Sequence, residues 1–401
     1  MRNLFKNSKV AFIYGAAGTG KSTMINYISS LFKDKQKIFL ANTNPAVENL
    51  RRKVTAEHAE FVTITKFLSK DVSNDCDILC LDECSTISNR DMVRVLQRAQ
   101  CKLLVLVGDI YQIESILFGN WFNIAYKVMP KDSVAELTRP HRTTVQGLIE
   151  VWNKVREITE DRLEFITRNG LSSTLDESIF SRTEEDEIVL CLNYDGIYGI
   201  NNINKFLQSN NVNPSINWGV LSYKVGDPVL FNESNRFAPL VYNNLKGKIL
   251  QIEEEEDCIY FTIEVYTVLN ELDVIGFDLE LKESVTDETS VIRFKVGRGG
   301  DGNDDNDNVE NVVPFQVAYA ISIHKAQGLE YESVKVLITS EIEEMVSHNI
   351  FYTAITRAKS KLKIYWSPET EKRILENMKV QFNDKDYQLF KAKYKEALLK
   401  S

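Results

Sequence analysis

Gly15, Gly18 and Gly20 lead into Lys21 and Ser22 in a run, Gly15 to Ser22, that fits G-x-x-x-x-G-K-[ST]. Glycines at that spacing let backbone N–H groups face a di- or triphosphate, and the start of a helix adds a favourable field. Lys21 is placed to reach β- and γ-phosphate oxygens, Ser22 to hold Mg2+, and Thr23 completes the run. A second group of chemically apt residues closes DILCLDECS, Asp77 to Ser85. Asp82 would hold the water shell of the metal, and Glu83 would orient and deprotonate an attacking water. A third is the stretch from Gly108 and Asp109 to Gln112, whose neutral amide could sense a γ-phosphate or its water, or simply end a polar turn. Arg142, in VAELTRPHR, is a cation that can reach the γ-phosphate from outside the glycine loop. Arg139 is its rival, and His141 is expected to be packed or exposed. Arg357 stands where a helix ends, with Lys359, Lys361 and Lys363 beyond it. At a helix end such cations commonly compensate the helix dipole.

These residues need strands and helices to hold them. Val10 to Tyr14 is a short apolar run that reads as a buried strand, and Met24, Ile25, Ile28, Leu31 and Phe32 then recur at helical spacing. Ile38 to Ala41 is a second strand, followed by Asn42, Thr43 and Asn44, where Asn44 with Pro45 reads as a cap and first helical residue. A third strand edge is expected over Val62 to Phe67, presenting Thr63 and Thr65. Polar residues at strand ends lie on the ligand edge of an open α/β sheet. Further apolar strands precede Asp82 and Gly108, and Val145, Leu148, Ile149, Trp152 and Val155 form one helical face. A second α/β unit starts with a strand at Ile188 to Asn193 and a helix around Ile197 to Leu207.

From about Gly219 to Gly297 alternation, β-branched residues and turn signals predict a small inserted β-barrel, followed by an acidic loop, Gly297 to Asn308. The α/β pattern resumes at Phe315 and runs to Trp366, and amphipathic helices follow Pro368.

Length divided by about 150 gives two or three domains for 401 residues. Apolar content of 43% and charged content of 26% are those of an ordinary globular chain. A net charge of −9 argues against a histone-like basic binder while leaving room for a local basic groove. The six cysteines, Cys76, Cys80, Cys84, Cys101, Cys191 and Cys258, contain no C-x-x-C pair, and read as reduced small hydrophobes of a reducing compartment. With no signal-peptide core and no stretch near the ~20 apolar residues of a membrane span, a cytoplasmic protein without a membrane partner is expected.

Taken in order, the motifs resemble those of superfamily 1 helicases, most closely the RecD-like branch. The phosphate loop of that family matches Gly15 to Ser22, its DE-x-[AS]-like element Asp82 to Ser85, and its G-D-x-x-Q Gly108 to Gln112. Its L-x-x-x-[YF]-R is similar to Leu137 to Arg142, with His141 in place of the aromatic. Its A-Y-A-x-[ST]-x-H-K-[SA]-Q-G-x-E matches Ala318 to Glu330, and its Y-T-A-x-T-R-A matches Tyr352 to Ala358.

The resemblance implies two RecA-like domains in tandem with an SH3-like insertion in the second: residues 1–138, then 139–218, an inserted 219–310, and 311–401. VYNNLKG, Val241 to Gly247, lies near the family's turn within that insertion. ATP and Mg2+ are the implied cofactors. Lys21, Ser22, Asp82, Glu83 and Gln112 would come from the first domain, and Arg142 and Arg357 from the second as arginine fingers. Gly328 and Glu330 would lie near the sugar and phosphates. Single-stranded nucleic acid, DNA before RNA, would touch Asn42, Thr43, Thr63, Ser322 and His324. Cleft closure during ATP turnover would then ratchet the strand, with 5′ to 3′ polarity implied by the branch alone.

Two family features are unmatched. Only nine residues precede the first strand, where relatives carry an adenine-recognising glutamine element, so weak base selectivity or a missing N-terminal region is expected. A short linker spans Phe67 to Asp77, where relatives insert a domain with a strand-splitting pin, so translocation is expected before efficient duplex separation. Tyr111, Phe118, Trp121 and Phe122 are candidates for base stacking or for core packing. A nucleotide-gated binding module and an RNA-directed motor are the competing functional readings.

Overall fold

The computed structural model describes residues 9–69, 74–113, 120–232, 236–238, 240–284, 286–298, 311–379 and 384–400, with side chains of the last helix described as far as Lys393. Phe118 and residues 299–308 of the acidic loop lie outside the described residues. The chain divides into two compact units, one of residues up to Thr174 together with those from Ala326, the other Leu175–Lys325.

In chain order the first unit opens with β1 (Val10–Gly15), α1 (Lys21–Leu31), β2 (Lys37–Ala41), α2 (Asn44–Lys53), β3 (Ala59–Thr63), α3 (Ile64–Leu68) and β4 (Asp75–Leu81). It continues through α4 (Asn89–Arg98), β5 (Gln100–Gly108), α5 (Trp121–Val128), β6 (Val134–Leu137), α6 (Gln146–Glu157), α7 (Arg162–Arg168) and β7 (Ser172–Ser173). Strands β1 to β6 form one sheet in the order β3-β2-β4-β5-β1-β6, every pairing parallel. Successive strand residues point to opposite faces, and both faces are covered, so the strands read as continuous apolar runs. Ala11, Ile13, Phe39, Ile78 and Val105 pack with Ile25 and Ile28 of α1 and Val47 and Leu50 of α2. Phe12, Leu40, Leu79 and Leu106 pack on the other face with Phe67 of α3, Met92 and Val95 of α4 and Phe122 of α5.

The second unit contains β8 (Glu187–Cys191), α8 (Ile200–Ser209), β9 (Ser215–Trp218), β10 (Leu221–Lys224), β11 (Pro228–Phe231), β12 (Lys246–Glu254), β13 (Cys258–Val265), β14 (Glu280–Lys282), β15 (Ser290–Gly297), β16 (Phe315–Val317) and β17 (Ala320–Ser322). Strand β17 pairs parallel with β8, while β9 and β10 make a hairpin. The remaining six form an antiparallel sheet, β14-β15-β13-β12-β11-β16, around Tyr223, Phe231, Phe261, Phe294 and Phe315. The first unit then resumes with β18 (Tyr331–Leu337), α9 (His348–Ile355), β19 (Ala358–Tyr365), α10 (Pro368–Asn377) and α11 (Asp384–Lys400). There β18, β19 and β7 pair in parallel. The α/β pattern expected at 188–207 and again at 315–366 therefore contributes strands to both compact units. Among the described residues no helix is long and apolar enough to cross a membrane. All six cysteines are free, and all but the half-buried Cys101 are buried.

Several expected boundaries move. The cap of α2 is Thr43, not Asn44: Thr43 is extended and its Oγ1 accepts from the Ala46 N–H, which leaves Asn44 and Pro45 inside the first turn. The strand expected over Val62 to Phe67 stops at Thr63, whose Oγ1 accepts from the Lys66 N–H and starts α3, so Thr65 lies on a helix. Val145 precedes α6 and is exposed, because the helix begins at Gln146. The helix expected from Ile197 begins at Ile200, leaving Ile197 exposed. Phe315–Val317 pairs antiparallel with Val229–Phe231, so these three residues complete the antiparallel sheet and do not open the α/β segment.

Candidate nucleotide site

The carboxyl edge of the six-stranded sheet carries the phosphate loop after β1, Asp82 and Glu83 after β4, and Asp109 and Gln112 after β5. The loop is shaped by its glycines. Gly18 and Gly20 have φ of +73° and +81°, a region that side-chain-bearing residues rarely adopt. A Cβ on Gly18 would overlap the Cβ of Arg142, and one on Gly15 would sit 2.6 Å from the Leu137 carbonyl oxygen. Gly20 precedes α1, and its carbonyl accepts the first helical bond from Met24 at 2.9 Å.

One cavity of about 230 Å³ is lined by Gly18, Gly20, Lys21, Ser22 and Thr23 of the loop and α1, and by Asp82, Glu83, Asp109 and Gln112. Arg142, Gly328, Glu330 and Arg357 line it too, and every one of these residues belongs to the first compact unit. Lys21 folds back on its own loop, donating to the carbonyls of Gly15 at 2.8 Å and Ala16 at 2.9 Å. Burial lowers its ammonium, against the opposing pull of Asp109 and Asp82. Arg142 pairs with Glu330 at 2.6 Å and donates to the Thr356 carbonyl at 2.6 Å. Arg357, 2% exposed, donates to the carbonyls of Thr353 and Leu329 and to the Thr356 hydroxyl. Burial, then the neighbouring Arg142, brings its guanidinium down to about 10.

Glu83 has φ +51° and follows the buried Asp82, whose Oδ1 accepts from the Glu83 N–H. Burial first and Asp82 second push the Glu83 carboxyl up to about 7. Gly328, at φ +81°, is the close neighbour: a Cβ there would sit 3.5 Å from Glu83 Oε1. Asp109 is 2% exposed; its Oδ1 accepts from the Tyr111 N–H and its Oδ2 has no protein partner. Such a pocket offers donors for a polyphosphate, hard oxygens for a cation and a carboxyl whose proton affinity suits proton abstraction near neutral pH.

Among the residues picked from sequence, Gly15 shapes the loop behind the cavity and the others chosen for nucleotide chemistry line it. Asn49, Lys53, Asp109 and His141 line it as well without having been assigned there. Asp109 lies inside the Gly108 to Gln112 motif, whereas Asn49 and Lys53, one turn apart on α2, carry no sequence signal. His141 is exposed at the wall, and Arg139 is exposed.

The candidate nucleic-acid residues stand elsewhere. Asn42 is exposed, with its amide donating to the Thr86 carbonyl, and Thr43 and Thr63 serve as helix caps. In the second unit Ser322 is buried, accepting from the Lys325 N–H, and His324 is exposed. Phe122 is core, stacked on Phe12 at 4.4 Å, and Trp121 donates to the Ile87 carbonyl. Tyr111 packs edge-on to Tyr352 and His348.

Two families match this chain, an AAA domain over residues 1–176 and a UvrD-like helicase C-terminal domain over residues 317–365. It is 24% identical to an uncharacterized protein, MJ1519, of Methanocaldococcus jannaschii, over 90% of this chain and 37% of that one. It is 22% identical to the RecBCD enzyme subunit RecD of Mycolicibacterium smegmatis, over 76% of this chain and 52% of that subunit. The chain thus spans between about a third and a half of the length of these relatives. A solved Bacteroides Pif1 helicase, in complex with ADP-AlF3 and single-stranded DNA, is similar in fold at a TM-score of 0.55 and 16% identity, with 98% of this chain and 96% of that one covered.

The fold is a mixed α/β one whose parallel sheets match two RecA-like helicase domains. In its ordered motifs and in these likenesses the chain is similar to superfamily 1 helicases of the RecD/Pif1 type.

Proposed function

We propose that the chain is an ATP-dependent translocase or helicase on single-stranded DNA that hydrolyses ATP in the cavity around Lys21. The carrying observation is that the phosphate-loop lysine, two carboxylates, an amide and two arginines, from five separate sequence motifs, line one cavity. In this reading Lys21 leaves the loop carbonyls for the β- and γ-phosphates, and Gln112 and Glu83 orient the attacking water, with Glu83 taking its proton. Arg142 and Arg357 stabilise the charge that develops on the transferred phosphoryl group. Gly15, Gly18, Gly20 and Thr23 cradle the phosphates, and Gly328 and Glu330 face the nucleotide from the opposite wall.

The donor set suits Mg2+. Ser22 and Asp82 supply hard oxygens, and this cation keeps several waters and takes phosphate oxygens for the rest of its shell. It would neutralise phosphate charge and screen the carboxylates around it.

Asn42, Thr43 and Thr63, with Ser322 and His324, are the candidate contacts for the DNA strand, and 5′ to 3′ polarity follows the branch. Five of the six strands of the antiparallel sheet, β11 to β15, fall within 219–310, which supports reading that segment as an SH3-like insertion; 1–138, 139–218 and 311–401 are then the RecA-like parts.

The test is the ATPase rate of the full chain with and without single-stranded DNA or RNA, for wild type, Lys21→Ala and Glu83→Gln. Stimulation by DNA, lost in both variants, is expected. The general-base step alone is worth roughly 10² to 10⁴ in rate. Slow turnover indifferent to nucleic acid would replace this reading with a nucleotide-gated binder. Strand displacement from tailed duplexes then separates translocation from unwinding.

A further inference from the structure

Gln112 is 9% exposed at the cavity wall, and its position is set by the backbone on both sides of it. On one side the Gln112 N–H donates to the Asp109 carbonyl at 3.3 Å. On the other, both polar groups of the Ile113 peptide are taken by side chains far away in sequence. The Ile113 N–H donates to Thr353 Oγ1 at 3.1 Å, and its carbonyl accepts from Gln327 Nε2 at 3.4 Å.

Thr353 is fully buried in α9, one turn before Arg357, and its own carbonyl accepts from Arg357 Nε at 2.9 Å. The residue before it, Tyr352, takes the Ala17 N–H of the phosphate loop on its hydroxyl at 3.3 Å. A single stretch, Tyr352 to Arg357, therefore touches the phosphate loop, the peptide after Gln112 and, through the Thr356 carbonyl, Arg142.

We propose that Thr353, with Gln327 as its counterpart, is a positioning residue that clamps the Ile113 peptide and so aims the Gln112 amide at the γ-phosphate and its water. This rests on the ATP-hydrolysing reading of the site. A side chain that orients a nucleophile acts only within hydrogen-bond reach, and a misplacement of about 1 Å can cost on the order of a hundredfold in rate. The clamp also ties the residue that aims the water to the helix turn that bears Arg357, so the two groups hold fixed relative positions.

The experiment is a double-mutant cycle on the full chain, reading DNA-stimulated ATP hydrolysis for Thr353→Val, Gln112→Ala and the pair, with Thr353→Ser as rescue. Valine keeps the shape and deletes the acceptor. In Thr353→Val, kcat falls about ten- to a hundredfold with the KM for ATP within about twofold of wild type. Serine restores most of the loss, and in the Gln112→Ala background the valine adds no further fall. An equal fall in both backgrounds, or an unchanged kcat, overturns the clamp while Lys21→Ala still tests the reading beneath it. Where thermal unfolding shows that Thr353→Val has not folded, Gln327→Leu enters the same cycle with the same expected and overturning results. A wild-type chain that does not hydrolyse ATP sinks both proposals.

Discussion

Glu330 answers Arg142 at 2.6 Å and is the carboxylate in the cavity wall for which the charge of its neighbours outweighs burial. Burial on its own raises the Glu330 carboxyl, yet the positive field of Arg142 first, then Lys53, Arg357 and Lys359, overrides it and brings it down to about 2 from an ordinary 4.5. A carboxyl whose folded-state value is depressed stabilises the fold above its unfolded value and loses that contribution as pH falls toward the folded one. The contribution is therefore complete above about pH 4.5 and drains away between there and pH 2. At roughly 1.4 kcal/mol per tenfold change in proton affinity it amounts to about 3 kcal/mol at most, less whatever the part-exposed side chain yields to solvent screening. Urea unfolding of wild type and Glu330→Gln across pH 7 to 3 reads this directly. The gap between them should be flat at the upper end and narrow below about pH 4.5. A gap of constant width would mean that Arg142 does not hold the carboxylate. Under the proposed function, the same pair implies that the arginine has to be drawn off Glu330 before it can serve a phosphoryl group.

The loop and strand ends that carry the site were legible because their chemistry is local. Gly15 to Ser22 needs only its own backbone and the helix after it, and a strand ending in Asp82 and Glu83 announces itself by an apolar run meeting two carboxylates. Where neighbours compete for one role, sequence favours the wrong one at the start of α2, where it reads Asn44 as the cap. Thr43 and Asn44 both make good caps, and the extended backbone of Thr43 settled the matter. Thr63 lies in a β-branched run that favours a strand, yet its hydroxyl starts a helix, and the strand ends four residues before Phe67. What depends on remote pairing was out of reach. Strand β16 joins the antiparallel sheet through β11, far back along the chain, and the Ile113 peptide meets side chains 214 and 240 positions away. The loop as an element yields a sharper expectation than any of its residues alone. Gly18→Ala forces a Cβ into Arg142 at a backbone angle of +73°, so the phosphate loop and the Arg142 segment must part. A loss of about 1 to 3 kcal/mol in folding stability is expected, with a matching drop in affinity for a fluorescent ATP analogue. Unchanged nucleotide affinity would show that the loop and Arg142 need not touch for binding.

Each residue that lines the cavity belongs to the compact unit made of the residues up to Thr174 and from Ala326. The other unit, Leu175–Lys325, has an aromatic core of its own, in which Phe261 and Phe315 meet edge-on at 4.9 Å. A ligand stabilises the unit that holds it, by about 2.7 kcal/mol at a free concentration a hundredfold above its dissociation constant. Nucleotide should therefore act unequally over the chain, because local opening free energies differ between cooperative units. Hydrogen exchange with and without ADP and Mg2+ should show slowed amides in Gly15 to Thr23 and in Tyr352 to Arg357. Those of β12, β13 and β15 should exchange at an unchanged rate. Lys21→Ala should abolish the slowing in the first set, since in the proposed reading the ammonium is the loop's own cation for the phosphates. Protection of equal size in the antiparallel sheet would show that the nucleotide's stabilisation is not confined to the unit that lines the cavity.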